Sequence, residues 1–554
     1  MAFSVSKVSS KGFLPKELPP GFTGRDFGAF VASTDHRWPS SVGRVWREFG
    51  TYSLVRSGGT RRTLGLTNPI SFVDVASEIS KLWPRFQNVY RQGLKYSSAP
   101  NIDTRNSRPR YLRNRYSFED LPSIRMRFAA TGHYRLKTDI SQCYGSIYTH
   151  SVPWVFVGKA KVKQSVAVGR GSTKRRPFTG DQLDKALMCA QHGQTIGIPI
   201  GSDLSHAVAE LILCSIDREL LKKYSHAYRD RVFPAIRMID DLEVYTSSRS
   251  EAEDMLSNYE RAAAKWGLQL NPSKVRIDSL PTYLDSAWIT PLSQFQFGNS
   301  ARSIPRKLRQ FIDLAFGFAG TEEERKAILG YAIKIVTESL VPLMDNRLFD
   351  AWLDILCAAI YADPSSLRFA YESIARAKEC GRVIRSQLLE ETLDRLLNEN
   401  YDFNRSHEVS WSLAIATQAG IHIDYETAGN VSRMEDNVSN ILLVHMAKNG
   451  LINRSNRLDS SQITDRACEL TSLQSPNWLI AYEFAAQGWT NGWHVRRTPF
   501  FREMLAAKVK FFDSGVYSVP SSPSRMPQSL EQLFSTDFST WFASYRTGIS
   551  YGQS

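Results

Sequence analysis

Residues 237–245 read RMIDDLEVY, and the two adjacent aspartates in this stretch decide how the surrounding chain folds. Short apolar runs of strand length flank them on both sides. FPAIRMIDDLEVYTS (233–247) therefore reads as strand, turn, strand, with Asp240 and Asp241 at the tip. Like charges held side by side raise each other's pKa. A buried hairpin that carries both asks for a positive partner.

A third carboxylate closes another strand. HYRLKTDI (133–140) has the strand pattern and ends at Asp139. If this strand lies beside the hairpin, Asp139, Asp240 and Asp241 converge. A divalent cation reverses their repulsion, and hard oxygen ligands beside substrate phosphates suit Mg2+, with Mn2+ as a substitute. Two such ions can activate an attacking hydroxyl and stabilise a leaving pyrophosphate. The main-chain carbonyl of Ile140 would add one more oxygen. An isolated Asp-Asp pair is more often a surface turn, so the order of the neighbouring elements must carry the reading.

That order separates the chain into two halves. TYSLVRSGGTRRTLGLT (51–67) reads as two strands around a Ser-Gly-Gly turn. DLSHAVAELILCSIDRELLKKY (203–224) reads as a helix with Leu204, Ala207, Val208, Leu211, Ser215 and Ile216 on its apolar face and Asp203 near its N-cap. SEAEDMLSNYERAAAKWG (250–267) is a helix stopped by Gly267, and LQLNPSKVRI (268–277) returns as a strand pair. From about residue 300, helix-length amphipathic segments follow one another, most of them ending at or just before Gly, Pro, Asp or Asn. The expected fold is α+β: a fingers-and-palm arrangement over 1–295, then an all-α, HEAT-like helical repeat over 296–554. Trp352, Trp411 and Ile415 exemplify the apolar faces that such a repeat should bury.

Charge follows the same division. Residues 1–300 carry 42 Lys and Arg against 26 Asp and Glu, whereas the remainder carries 27 against 29. A basic excess confined to one half suits a polyanion partner. TRNSRPRYLRNRYSF (104–118) and GKAKVKQSVAVGRGSTKRRPFTG (158–180) concentrate it. A length of 554 residues exceeds what one core supports. Six cysteines without a CxxC spacing suggest neither a zinc site nor a disulfide framework. With no signal-like apolar stretch at the N-terminus and no membrane-length apolar run, a cytoplasmic protein without a membrane partner is expected.

The four elements around the aspartates resemble, in order and spacing, the palm of reverse transcriptases. TDISQCYGSIYTH (138–150) resembles motif A, with Asp139 as metal ligand and Tyr144 as the aromatic gate beneath the sugar. IGIPIGSDLSHAVAELIL (196–213) resembles motif B, with Gly201 and Ser205 in place. MIDD (238–241) resembles motif C, and GLQLNPSKV (267–275) resembles motif D, with Lys274 as its lysine. RSGGTRRTLGL (56–66) resembles the fingers hairpin, whose Arg62 and Arg56 would cover the triphosphate. Together with GFLPKELPPGF (12–22), these segments look like the bacterial abortive-infection and defence-associated reverse transcriptases, the AbiK-like family.

The resemblance implies an antiphage DNA polymerase. It would use dNTPs without copying a template and start on a side-chain hydroxyl of the protein itself, usually a tyrosine. Its single-stranded DNA product would stay covalently attached, and the protein would be a homo-oligomer answering a phage-encoded trigger. The chain departs from templated enzymes at Met238, where Tyr or Phe is common, and at Ile200, where Gln is common. Tyr52, Tyr90, Tyr96, Tyr517, Tyr545 and Tyr551 are the tyrosines expected on accessible segments, and the priming position stays open among them. Two other readings stand beside this one: a templated RNA-directed DNA polymerase of retron or intron type, and a catalytically silent nucleic-acid-binding scaffold.

Overall fold

The structure is a computed structural model of the chain. It describes residues 2–34, 45–56, 58–103, 110–116, 120–168, 178–224, 232–282, 286–297, 303–321, 328–454 and 460–518. Much of both basic stretches, and the tyrosines at 545 and 551, lie outside these residues.

Among the described residues the chain forms nine strands. β1 (Gly50–Val55) and β2 (Arg61–Leu66) make the expected hairpin, with Gly58 and Gly59 supplying the positive φ of its turn. β3 (Tyr96–Ser97), β6 (Tyr134–Thr138), β7 (Ala235–Met238), β8 (Asp241–Thr246) and β9 (Arg276–Ser279) form one sheet in the order β3-β7-β8-β6-β9. All its pairs are antiparallel except β3 with β7. β4 (Pro100–Ile102) and β5 (Leu112–Asn114) pair separately. The register sets Met238 opposite Asp241 and Thr138 opposite Leu242. Asp139, one residue beyond β6, is thereby delivered beside the β7–β8 turn.

Alternation along the strands gives the sheet two apolar faces. Leu136, Ala235, Leu242 and Val244 join the main core, where Met255 and Tyr259 of the helix Arg249–Lys265 and much of the helix Asp203–Tyr224 are also buried. Ile236, Met238 and Tyr245 pack instead with Leu121, Ile124 and Phe128 of the helix Asp120–Ala129. The helix Asp203–Tyr224 is buried around its whole circumference from Asp203 to Asp217, not along one stripe as its periodicity suggests. Its cap is Ser202, whose Oγ accepts the Ser205 N–H at 3.2 Å. The Asp203 carboxylate, expected there, instead accepts the N–H groups of Tyr111 and Leu112 at 3.1 and 2.9 Å. Residues 268–277 are also not a strand pair. They form a 3-10 turn at Pro272–Lys274 followed by the single edge strand β9.

The C-terminal part is helical. The helices Ile328–Ser339, Leu367–Glu379, Ser406–Ala419, Asn437–Lys448 and Trp478–Ala486 stack in one row, and Asn346–Ala362, Gln387–Asn400 and Tyr425–Ser432 stack in a second row outside it. This two-row pairing is the layout of a helical repeat. Trp352, Trp411 and Ile415 are buried. The inner row packs on the first half of the chain, so one hydrophobic core runs through both. Phe13 meets Trp478 and Phe511, and Phe22 forms a β-bridge with Phe512. Among the described residues no helix is long and apolar enough to cross a membrane.

Candidate active site

Four segments meet at the β7–β8 turn. The turn is two residues long, and Ile239 occupies it at φ 59°. Asp240 follows, 3 % exposed, and Asp241 opens β8. The Ile140 N–H donates to the Asp240 carbonyl at 3.3 Å, so the segment after β6 is tied to the tip of the hairpin. The carboxylates of Asp139 and Asp240 face one another. Asp139 Oδ1 and Asp240 Oδ1 are buried, and neither has a hydrogen-bond donor among the described residues. The other oxygen of Asp139, Oδ2, accepts from Lys274 Nζ.

The electrostatics follow from this crowding. Burial drives the Asp240 carboxyl well above its ordinary pKa, and the charges of Asp241 and Asp139 push the same way. Burial also raises Asp139, against the opposing pull of Lys274. Two buried carboxylates of raised proton affinity, each with an oxygen lacking a donor among the described residues, fit a divalent cation, which would supply the missing positive charge. Asp139 and Asp240 are the pair that would hold it. With Asp241 they do not make a ready cluster: among the described residues, no three His, Cys, Asp or Glu side chains are grouped closely enough to ligate an ion.

Arginines face this acid pair from the β1–β2 hairpin. Arg62 is pulled down from its ordinary pKa by burial and pushed back up by Asp240. Burial and the neighbouring Arg62 lower Arg56 to about 10, with Asp240, Asp139 and Asp241 opposing. Tyr144 also acts on Arg62. Tyr144 is 7 % exposed, and its carbonyl accepts the Ile198 N–H at 2.9 Å, which joins the 139–149 segment to the loop before the helix Asp203–Tyr224. That loop docks on β2, where the Gly65 N–H donates to the Ile200 carbonyl at 2.8 Å. Gly201 has φ 129°, and a Cβ there would lie 2.6 Å from Pro15 Cγ, so only glycine fits. Its carbonyl accepts from Arg110 Nη2 at 2.8 Å.

Asp139, Ile140, Asp240 and Asp241 meet at the turn, Arg56 and Arg62 are close enough to feel these acids, Tyr144 is coupled to Arg62, and Gly201 lies against Pro15 beside β2. Lys274 lies on Asp139 itself. Arg61 turns away from the acids: successive residues of β2 point to opposite faces, and Arg61 pairs with both oxygens of Glu408 at 2.6 and 2.9 Å. Glu17, for which the sequence offered no signal, is buried close enough to Arg62 to raise its pKa. Of the tyrosines expected on accessible segments, Tyr52, Tyr90, Tyr96 and Tyr517 are all buried. The Tyr52 hydroxyl shares a hydrogen bond with Ser410, and those of Tyr90 and Tyr517 donate to the Ala207 and Pro20 carbonyls.

Comparison with known proteins bears on part of the chain. Residues 104–321 match the family described as Reverse transcriptase (RNA-dependent DNA polymerase). No curated protein matches the chain. Among solved structures, apo telomerase from Candida tropicalis is similar at 12 % identity and a TM-score of 0.31, over 74 % of this chain and 78 % of that one. Telomerase from Candida albicans, solved with a fragment of telomeric RNA, is similar at 12 % identity and a TM-score of 0.28, over 67 % and 65 %. Residues 104–321 match a reverse transcriptase domain, and that domain indicates a nucleotidyltransferase, an RNA-directed DNA polymerase-like enzyme.

Proposed function

We propose that this protein is an antiphage DNA polymerase of the AbiK-like kind, making single-stranded DNA from dNTPs without a template and priming on its own side chain. The observation that carries the catalytic part is the buried, donorless pair Asp139 Oδ1 and Asp240 Oδ1, facing the hairpin that bears Arg56 and Arg62. Mg2+ bound there would lower the pKa of the attacking hydroxyl and neutralise charge on the phosphates. Arg62 and Arg56 would bind the triphosphate, and Tyr144 would close the space a 2′-hydroxyl needs. Gly201 gives the backbone room to approach the nucleotide. Lys274, held on Asp139, would be released toward the phosphates when a cation takes its place. Asp241 would be the third carboxylate available to the ion.

In this reading residues 1–295 are the polymerase part, and the helical part from 296 stands in for a thumb and makes subunit contacts in a homo-oligomer. Its lack of net positive charge argues against a role as sole DNA binder. Self-priming is supported by the resemblance. The burial of Tyr52, Tyr90, Tyr96 and Tyr517 removes four of the six favoured primers and leaves Tyr545 and Tyr551. That same burial favours the templated RNA-directed reading as the runner-up.

Incubation of purified protein with labelled dNTPs and no added template separates the two. Self-priming predicts label that stays on the protein through denaturation and maps to a tyrosine after nuclease trimming. DNA with a free 5′ end, or one continuous with RNA, would establish the templated reading. Absence of incorporation in every metal and nucleotide condition would sink both.

A further inference from the structure

Ile239 is β-branched yet sits at φ 59°, in the left-handed region that such residues rarely adopt. Conformations of this kind persist only where the surroundings over-determine them. Here both main-chain polar groups of Ile239 are gripped by side chains. Its N–H donates to Ser98 Oγ at 2.6 Å, and its carbonyl accepts from Arg237 Nη1 at 2.8 Å. Glu210 closes the ring. Ser98 Oγ donates to Glu210 Oε1, while Arg237 Nη1 and Nη2 reach Oε1 and Oε2 at 3.1 and 2.9 Å. Asp217 takes the remaining edge of the guanidinium, from Nε and Nη2, both at 2.9 Å.

Every member is fully buried. They come from three elements: Ser98 follows β3, Arg237 belongs to β7, and Glu210 and Asp217 stand on the helix Asp203–Tyr224. Buried ion pairs are weak evidence for stabilisation, because desolvation offsets their attraction. What a closed ring of hydrogen bonds does give is a fixed direction, and the residue it fixes is the one before Asp240.

We infer that Ser98, Glu210, Arg237 and Asp217 form a positioning clasp, which holds Ile239 in its left-handed turn and so aims the Asp240 carboxylate at Asp139. The clasp acts on the acid pair through one peptide unit, as partners behind metal ligands do elsewhere. The inference rests on the polymerase reading for its catalytic consequence, but not for its structural one.

The test uses the full chain. Ser98→Ala leaves the Ile239 N–H buried without its acceptor. Three quantities are read: dNTP incorporation, Mn2+ binding by electron paramagnetic resonance, and hydrogen exchange at the Ile239 amide. The clasp predicts faster exchange at Ile239, Mn2+ binding weakened by about 10–100-fold, and kcat reduced by a similar factor with KM for dNTP unchanged. Wild-type values of exchange and Mn2+ affinity in Ser98→Ala would overturn it. Ser98→Thr and Ser98→Val guard against a packing artefact, since they share a shape and only threonine keeps the hydroxyl. Threonine should retain what valine loses, and equal impairment of the two would also overturn the clasp. A wild-type chain that incorporates no dNTP refutes the polymerase reading instead, and the exchange rate at Ile239 still decides the clasp.

Discussion

Removing Arg61 should cost the protein more than removing the charge of its partner Glu408. The pair joins β2 to the helix Ser406–Ala419, but its two members are buried unequally: the Arg61 side chain is 28 % exposed and that of Glu408 3 %. Arg61→Ala strands a carboxylate in the interior, the costly way to break a buried pair, and about 3–5 kcal/mol is expected. Glu408→Gln strands nothing comparable. Arg61 can turn toward water and keeps its bonds to Ser53 Oγ and the Ser53 carbonyl at 2.7 and 3.0 Å. Its loss should be about 1–2 kcal/mol, a charged hydrogen bond discounted for solvent. In the double variant the glutamine needs no counter-charge, so the double should be less destabilised than Arg61→Ala alone, with a coupling of about 2 kcal/mol. Urea unfolding followed by tryptophan fluorescence measures all four proteins, because Trp411 and Trp478 sit where the two halves meet. Equal costs for the single variants, or strict additivity in the double, would refute this account of the contact.

Other outcomes follow from the acid pair and the core. Asp139→Ala and Asp240→Ala should each abolish dNTP incorporation while circular dichroism and the thermal midpoint stay near wild type; Asp241→Ala should be equal or milder, and a wild-type rate in either of the first two would remove the two-carboxylate site. Because Asp240 is raised in the folded protein, the metal-free fold binds the proton better than the unfolded chain does. Its stability should therefore fall as pH rises from the ordinary aspartate value of 3.8, and stabilisation by Mg2+ should grow over the same span and vanish in Asp240→Asn. A thermal shift with Mg2+ that does not depend on pH would contradict this. Tyr144→Ala should raise ribonucleotide use relative to deoxynucleotide use in competition assays; an unchanged ratio would make Tyr144 a packing residue. A chain cut near residue 295 should aggregate, since Phe13 would lose Trp478 and Phe511, and a soluble, active fragment by size exclusion would count against the shared core.

The β1–β2 and β7–β8 hairpins and the row of C-terminal helices were legible because each depends on local pattern: alternation for strands, apolar spacing and stop residues for helices. The acid pair was legible because Asp139 and the Asp240–Asp241 pair mark strand ends. What escaped were features set by distant partners. The helix Asp203–Tyr224 shows a stripe in sequence, yet the helices Pro69–Gln92, Ser151–Val157 and Arg249–Lys265 all pack on it. Asp203 resembles a cap, but its carboxylate serves the backbone at 111–112. Arg61 and Arg62 look alike as letters, and only strand alternation sends one to Glu408 and the other toward Asp240. Tyr52 and Tyr90 sit in segments that read as accessible, but the surface covering them is contributed by residues hundreds of positions away or by another helix.

The bridge between Phe22 and Phe512 has a consequence for how the protein comes into being. Arg25 and Asp513 are 488 positions apart, and Pro20 and Tyr517 are 497 apart. On a ribosome adding about 5–20 residues per second, the N-terminal segment waits roughly 25–100 s for these partners to emerge. Throughout that interval the inner helical row, which backs the β1–β2 hairpin, is incomplete. The nascent chain would expose Phe13, Phe22 and Phe27, an invitation to chaperones. The β1–β2 hairpin that carries Arg56 and Arg62 would also lack the helix Ser406–Ala419 that packs on it. The N-terminal segment and the chain around 511–517 are therefore made far apart in time, and the packing that joins the two halves is completed only after the intervening helices have emerged.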